Sequence, residues 1–143
     1  MSNYILSSNG ELMHYGVKGM KWGVNKSQRK LNKAVKTADK QAKRRRKLAD
    51  NYKRTLEDIR RGNYKELGYP SAERAKQDKP LTSAMISNET KIAKNWTKIR
   101  NEIAKMSVND VAKANELVEN GKQYAAYMDD MIYSRIEYER KNN

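Results

Sequence analysis

From Leu31 to Ile59 the chain repeats small and apolar residues in alternating steps of four and three: Leu31, Val35, Ala38, Ala42, Arg45, Ala49, Tyr52, Leu56 and Ile59. An α-helix gathers such positions on one side, because a seven-residue repeat returns close to the same face. A strand would scatter them over both faces. The spacing predicts a helix from about Ser27 to Arg61, with Arg45 the one interruption. Three alanines make the seam shallow. Gly62 and Asn63 break the pattern, and "LGYP" (Leu67–Pro70) reads as a turn.

Two further helical patterns follow. Ser71 is a suitable cap for a short helix, "SAERAKQD", which Pro80 is expected to end. Met85, Ile92, Trp96, Ile99, Ile103 and Met106 form a second four-three seam, with Glu89 as its polar intruder, on a helix starting near Thr82 or Asn88. Ser107 and Asp110 have the spacing of a capping box for a third helix. On it Leu117, Val118, Tyr124, Ala125, Met128, Met131 and Ile132 share a broad face that Gly121 weakens, before the pattern runs out near Arg140.

The N-terminal residues read differently. "YILS" and "ELMHY" flank Asn9-Gly10, a dipeptide suited to the tight turn of a β-hairpin. "GVKGMKWGV" (16–24) is too rich in glycine for a helix interior and reads as a loop. The division is therefore a hairpin and motif over 1–25, a strongly basic helix over 26–67, a turn and short helix over 68–81, and a helical pair over 82–143. The fold class is all-α with this small appendage. A helical hairpin and a three-helix arrangement both satisfy the patterns, with the first helix either packed on the others or projecting as an arm.

At 143 residues there is room for one core, and with 37% apolar residues that core is lean. An elongated or partner-dependent chain is expected. No apolar run reaches the roughly 20 residues of a membrane span, and no secretory layout opens the sequence. A soluble chain, inside a cell or inside something assembled there, is the expectation.

Charge is concentrated. Residues 18–61 carry 17 Lys and Arg against 4 Asp and Glu, whereas residues 62–143 carry 14 against 12. A polycation this local attracts polyanions. Within it "KRRRK" (Lys43, Arg44, Arg45, Arg46, Lys47), with Lys36, Lys40, Lys53 and Arg54, coats a helix in cations that repel one another at four-residue spacing unless a partner neutralises them. Sequence-independent contact with a nucleic-acid phosphate backbone is the expected use. No recognition-helix motif points to base reading.

Catalysis finds little support. There is one histidine, no cysteine, no phosphate-binding glycine loop and no cluster of metal ligands. The neighbouring pairs Glu57-Asp58 and Asp129-Asp130 read as solvated helix faces. Tyr124, Tyr127, Tyr133 and Tyr138 stand in mixed to acidic surroundings, which suits packing better than base stacking. A non-enzymatic chain without cofactor or metal is expected.

"LMHYGVKGMKWGV" (Leu12–Val24) remains. It holds three glycines, two lysines, the only histidine and two aromatics, a density beyond what a helix cap requires. As a linear recognition element, Tyr15 and Trp22 would be its anchors. Its core, His14, Tyr15, Gly16, Val17, Lys18, Gly19, Met20, Lys21, Trp22 and Gly23 with Val24, resembles a short motif of tailed-bacteriophage proteins. There the motif often lies near a chain end and precedes two arginines. Asn25 and Lys26 stand in their place here, with Arg29 and Lys30 close by. Such proteins are commonly predicted to be virion or head-associated, several with unrelated domains beside the motif. The resemblance implies a tag that addresses different cargoes to a phage head component.

The leading expectation is a virion-associated protein, in the capsid interior or the host cytoplasm, docked by the motif and holding packaged nucleic acid with the basic helix. A phage factor that blocks a host enzyme or defence complex is one alternative. A scaffolding protein that self-associates through its seams is another.

Overall fold

The computed structural model describes residues 18–142, with side chains from residue 23. These residues form α1 (Lys18–Arg60), α2 (Ala72–Gln77), α3 (Lys79–Ala104) and α4 (Val111–Asn142), with a 3₁₀ turn, Val108–Asp110, leading into α4. Among the described residues there is no strand, and no helix is long and apolar enough to cross a membrane. The hairpin expected over 4–15 lies outside the described residues, as do His14 to Val17.

The loop expected over 16–24 is corrected from Lys18 onward, where α1 has already begun. Glycine costs a helix interior about 1 kcal/mol without forbidding it, and Gly23 has open space around it. The glycines that require a left-handed backbone lie elsewhere. Gly62, at φ 84°, closes α1: its N–H donates to the Ile59 carbonyl at 3.1 Å, and that of Asn63 donates to Asp58 at 2.9 Å. This is the paired hydrogen bonding of a Schellman cap. Gly68, at φ 85°, repeats it one turn later, with Gly68 bonded to Lys65 at 3.0 Å and Tyr69 to Tyr64 at 3.0 Å.

Pro80 does not hold α2 and α3 apart. Asp78 ends α2 and begins α3, and Pro80 sits in the first turn of α3, where its missing N–H would have had no partner. The long helix therefore starts earlier than its apolar seam. Asp78 does not cap α3 with its side chain, because both carboxylate oxygens are engaged elsewhere. Oδ1 accepts from Arg74 at 2.8 Å and Oδ2 from the Tyr69 hydroxyl at 2.6 Å. Burial, then the bond to Asp78, push Tyr69 up to about 12 from an ordinary value near 10. A raised folded pKa leaves this contribution intact below about pH 10 and removes it as the pH climbs toward 12. Wild type should therefore lose more stability than Tyr69→Phe over that interval. Urea midpoints at its two ends check this, and equal losses would contradict it.

The three long helices pack along one another. Moving along α1 from Arg46 to Tyr52, the α3 neighbours move back from Thr97 to Met85 and Asn88, so the two helices are antiparallel. α4 returns antiparallel to α3, with Gly121 against Trp96 and Ile136 near Met85. The core joins Leu31, Ala34, Ala38 and Ala42 of α1, Ile92, Trp96, Ile99 and Ile103 of α3, and Ala114, Ala125 and Met128 of α4. The alanines of α1 let its backbone approach α3, which supplies the bulk. The basic helix thus packs rather than projects, although residues 23–30 hold no buried side chain. The two four-three seams are buried against each other within one chain.

On α4 the Ser107–Asp110 capping box forms as expected: the Ser107 N–H donates to Asp110 at 3.0 Å, and the Asn109 N–H donates to Ser107 Oγ at 3.3 Å. Two expectations for its apolar face change. Met131 points outward and is half-exposed, because the buried side runs through Ala114, Gly121, Ala125 and Met128 instead. Gly121 is no weak point, because the Trp96 ring packs where a Cβ would stand. Of the tyrosines, Tyr124 packs against the core, whereas Tyr127, Tyr133 and Tyr138 are exposed.

Candidate nucleic-acid interface

The same periodicity that buries the seam of α1 fixes where its cations point. Opposite the seam lie Lys33, Lys36, Lys40, Arg44, Lys47 and Arg54, all exposed. At 100° per residue they fall within about 80° of arc and extend over ~32 Å of helix. Among the described residues Lys33, Lys36, Lys40, Lys47 and Arg54 form no ion pair, and Arg44 reaches the neutral Gln41, at 3.1 Å. Three of the four α1 acids lie to one side of this row, whereas Asp58 falls within its arc one turn beyond Arg54. Asp39 takes Lys43 at 3.1 Å, Asp50 takes Lys53 at 3.9 Å, and Glu57 takes Arg60 and Arg61 at 3.7 and 3.1 Å. Arg46 turns to the flank and donates to Thr97 of α3.

Eight of the nine cations expected to meet phosphate are therefore exposed. Arg45 is set apart. Only 7% of it is exposed, and its guanidinium is spent inside the bundle. Nη1 donates to Glu89 Oε1 at 2.9 Å and to Asp129 Oδ1 at 2.8 Å, and Nη2 donates to Asp129 Oδ2 at 2.7 Å. The hydrogen bonds to Asp129, with Glu89 behind them, hold the guanidinium pKa above its ordinary value against the opposing effect of burial. Arg45 belongs to the architecture, not to the exposed cationic row.

Arg45 interrupts the first seam and Glu89 the second, and the two interruptions are partners. A buried polar position in one amphipathic helix needs a complementary one in the helix it faces. Asp129 completes the arrangement, contrary to its reading as part of a solvated pair, while Asp130 remains exposed. Lys33 joins the row although it is not among the nine expected cations. Its signal is present in the sequence, since it lies in phase with Lys36, Lys40 and Lys47.

Of the motif residues, Lys18 to Gly23 lie in the first turns of α1. Among the described residues no group of three or more His, Cys, Asp or Glu is placed to hold a metal ion.

A family of unknown function, DUF7211, matches residues 6–29. That span contains the whole of the His14–Val24 motif and stops before the seam of α1 begins. No curated protein and no solved structure matches the chain.

Proposed function

We propose that this is a non-enzymatic, virion-associated bacteriophage protein that docks through its N-terminal motif and binds the phosphate backbone of packaged nucleic acid along α1. The observation that carries the reading is the row from Lys33 to Arg54, five of whose six cations meet no partner among the described residues. Such a row repels itself on an unbound helix and gains by releasing counterions from a polyanion. The row lies on a helix whose opposite seam is already packed in the bundle, so no ordering of the helix is required on binding. Docking rests on the resemblance of His14–Val24, and the family match over residues 6–29 covers that segment and the first turns of α1 while stopping before its packed seam.

The test is duplex-DNA affinity as a function of salt. Wild type should lose affinity linearly in log–log form. Replacing Lys33, Lys36, Lys40 and Lys47 with glutamine should flatten the slope by ~0.9 for each phosphate that is no longer neutralised, with helical content unchanged. A wild-type affinity indifferent to salt, or an unaltered slope in the variant, removes the phosphate reading. Docking is read separately, by mass spectrometry of purified particles. A Tyr15→Ala, Trp22→Ala double variant should be missing from particles that contain the wild type. Equal incorporation removes the address.

A further inference from the structure

Over residues 62–143 the sequence balances 14 Lys and Arg against 12 Asp and Glu, but the bundle does not spread them evenly. Of the two acids of α3, Glu89 is buried against Arg45, which leaves Glu102 as the exposed carboxylate of that helix. Lys91, Lys94 and Lys98 of α3, with Lys105 at its C-cap, are all exposed. At 100° per residue they fall within about 60° of arc, opposite the seam of Ile92, Trp96, Ile99 and Ile103, and extend over ~21 Å. Glu102 stands just outside one edge of that arc. Among the described residues these lysines make no side-chain hydrogen bond and no ion pair. A second cationic row therefore lies on α3, hidden in the sequence by the near-neutral balance of this half.

Packing decides where this row lies relative to the one on α1. The seams of α1 and α3 meet in the core, and each row lies opposite its own seam, so the two rows point away from each other across the bundle. The flank between them carries carboxylates. Asp39, Asp50 and Glu57 share one side of α1 with Arg46, within about 40° of arc, and Arg46 is the residue that reaches Thr97 of α3. The acids thus stand on the side that turns toward α3, where they take Lys43, Lys53, Arg60 and Arg61. On the other flank α4 packs against both helices, with Ala114, Ala125 and Met128 in the shared core. A straight polyanion lying along one row meets carboxylates or α4 before it reaches the other row.

We propose that the α3 row binds the phosphates of a second nucleic-acid segment, so that one chain bridges two duplexes held on opposite faces of the bundle. This rests on the phosphate reading of α1 and adds a second, shorter track to it. A duplex presents one charge per ~1.7 Å of its axis, so ~21 Å of helix spans enough phosphates for every lysine of the row. Two neighbouring duplexes repel each other, and a cationic body between them opposes that repulsion by releasing counterions from both. The chain then ties adjacent segments of packaged duplex together instead of coating one of them.

The experiment is a bridging assay with the full chain, an immobilised DNA duplex and a second, fluorescent duplex added after unbound protein is washed away. Wild type should retain the second duplex, and release it as salt rises. The variant Lys91→Gln, Lys94→Gln, Lys98→Gln, Lys105→Gln changes exposed, unpaired side chains and should keep the helical content of wild type by circular dichroism. It should still bind the immobilised duplex through α1, but hold at least about tenfold less of the second, because the counterion release of that contact is lost. A variant that retains as much second duplex as wild type overturns the proposal, since bridging would then come from the α1 row or from association between chains. Wild type that binds the immobilised duplex without retaining the second also overturns it and leaves the phosphate reading of α1 standing. Wild type that binds no duplex at all removes both.

Discussion

Arg45→Met should destabilise the protein by about 3–5 kcal/mol, the range for removing one partner of a buried ion pair. The change deletes a guanidinium that makes three hydrogen bonds and leaves the Glu89 carboxylate buried at 7% exposure with no cation. Asp129 suffers less, because nearly half of its side chain already meets water. The double variant Arg45→Met, Glu89→Met should therefore recover most of the loss. Two apolar side chains would then face each other where two charges did, and such replacements are often neutral or stabilising. Urea unfolding followed by circular dichroism measures both. Arg54→Met, on the outer row, is the control and should cost within about 0.5 kcal/mol of nothing. If Arg45→Met cost no more than Arg54→Met, the buried cluster would be idle.

The second large effect is expected at Gly121. A Cβ added there would lie 2.7 Å from Trp96 Cζ3 and 2.8 Å from Ile99 Cδ1. Trp96 is among the most completely buried side chains in the protein, and its rigid ring has no room to yield. Gly121→Ala gains about 1 kcal/mol of helix propensity against an overpacking cost of about 1–3 kcal/mol, so the net change is destabilising. Gly121→Leu adds bulk with no such offset and should detach α4 from Trp96, so that unfolding is no longer a single cooperative transition. Gly23→Ala is the internal comparison. It meets nothing within 4 Å and should raise stability by up to about 1 kcal/mol. Thermal unfolding of the three variants separates the cases. Stabilisation by Gly121→Ala equal to that by Gly23→Ala would mean that α4 does not approach α3 so closely.

These two positions mark where sequence reasoning stops. Gly121 reads as a flaw in an apolar face, because a glycine in a helix has a visible cost and no visible benefit. Its benefit is the Trp96 ring across the interface, and nothing in the neighbours of Gly121 names that ring. Arg45 and Glu89 each read as a defect in an otherwise regular seam. Neither pattern alone says that one defect answers the other, though two seams with one charge of opposite sign apiece contain the hint.

The sequence by itself determined that the chain after its N-terminal motif is helical, where those helices break at Gly62, Gly68 and Ser107, and which face of α1 is apolar. These follow from periodicity and from the special backbone needs of a few residues, which are local. The same periodicity determined which cations face outward, because the angle between a seam and its opposite face belongs to the helix. Tertiary structure alone decided that α1 packs instead of projecting. It also took Arg45 out of the exposed cationic row and joined Asp129 to its guanidinium in a partly buried ion pair. Each of these depends on which residue of another helix lies within about 3 Å, hydrogen-bonding distance, and that is set by how side chains of different bulk bring three helices together.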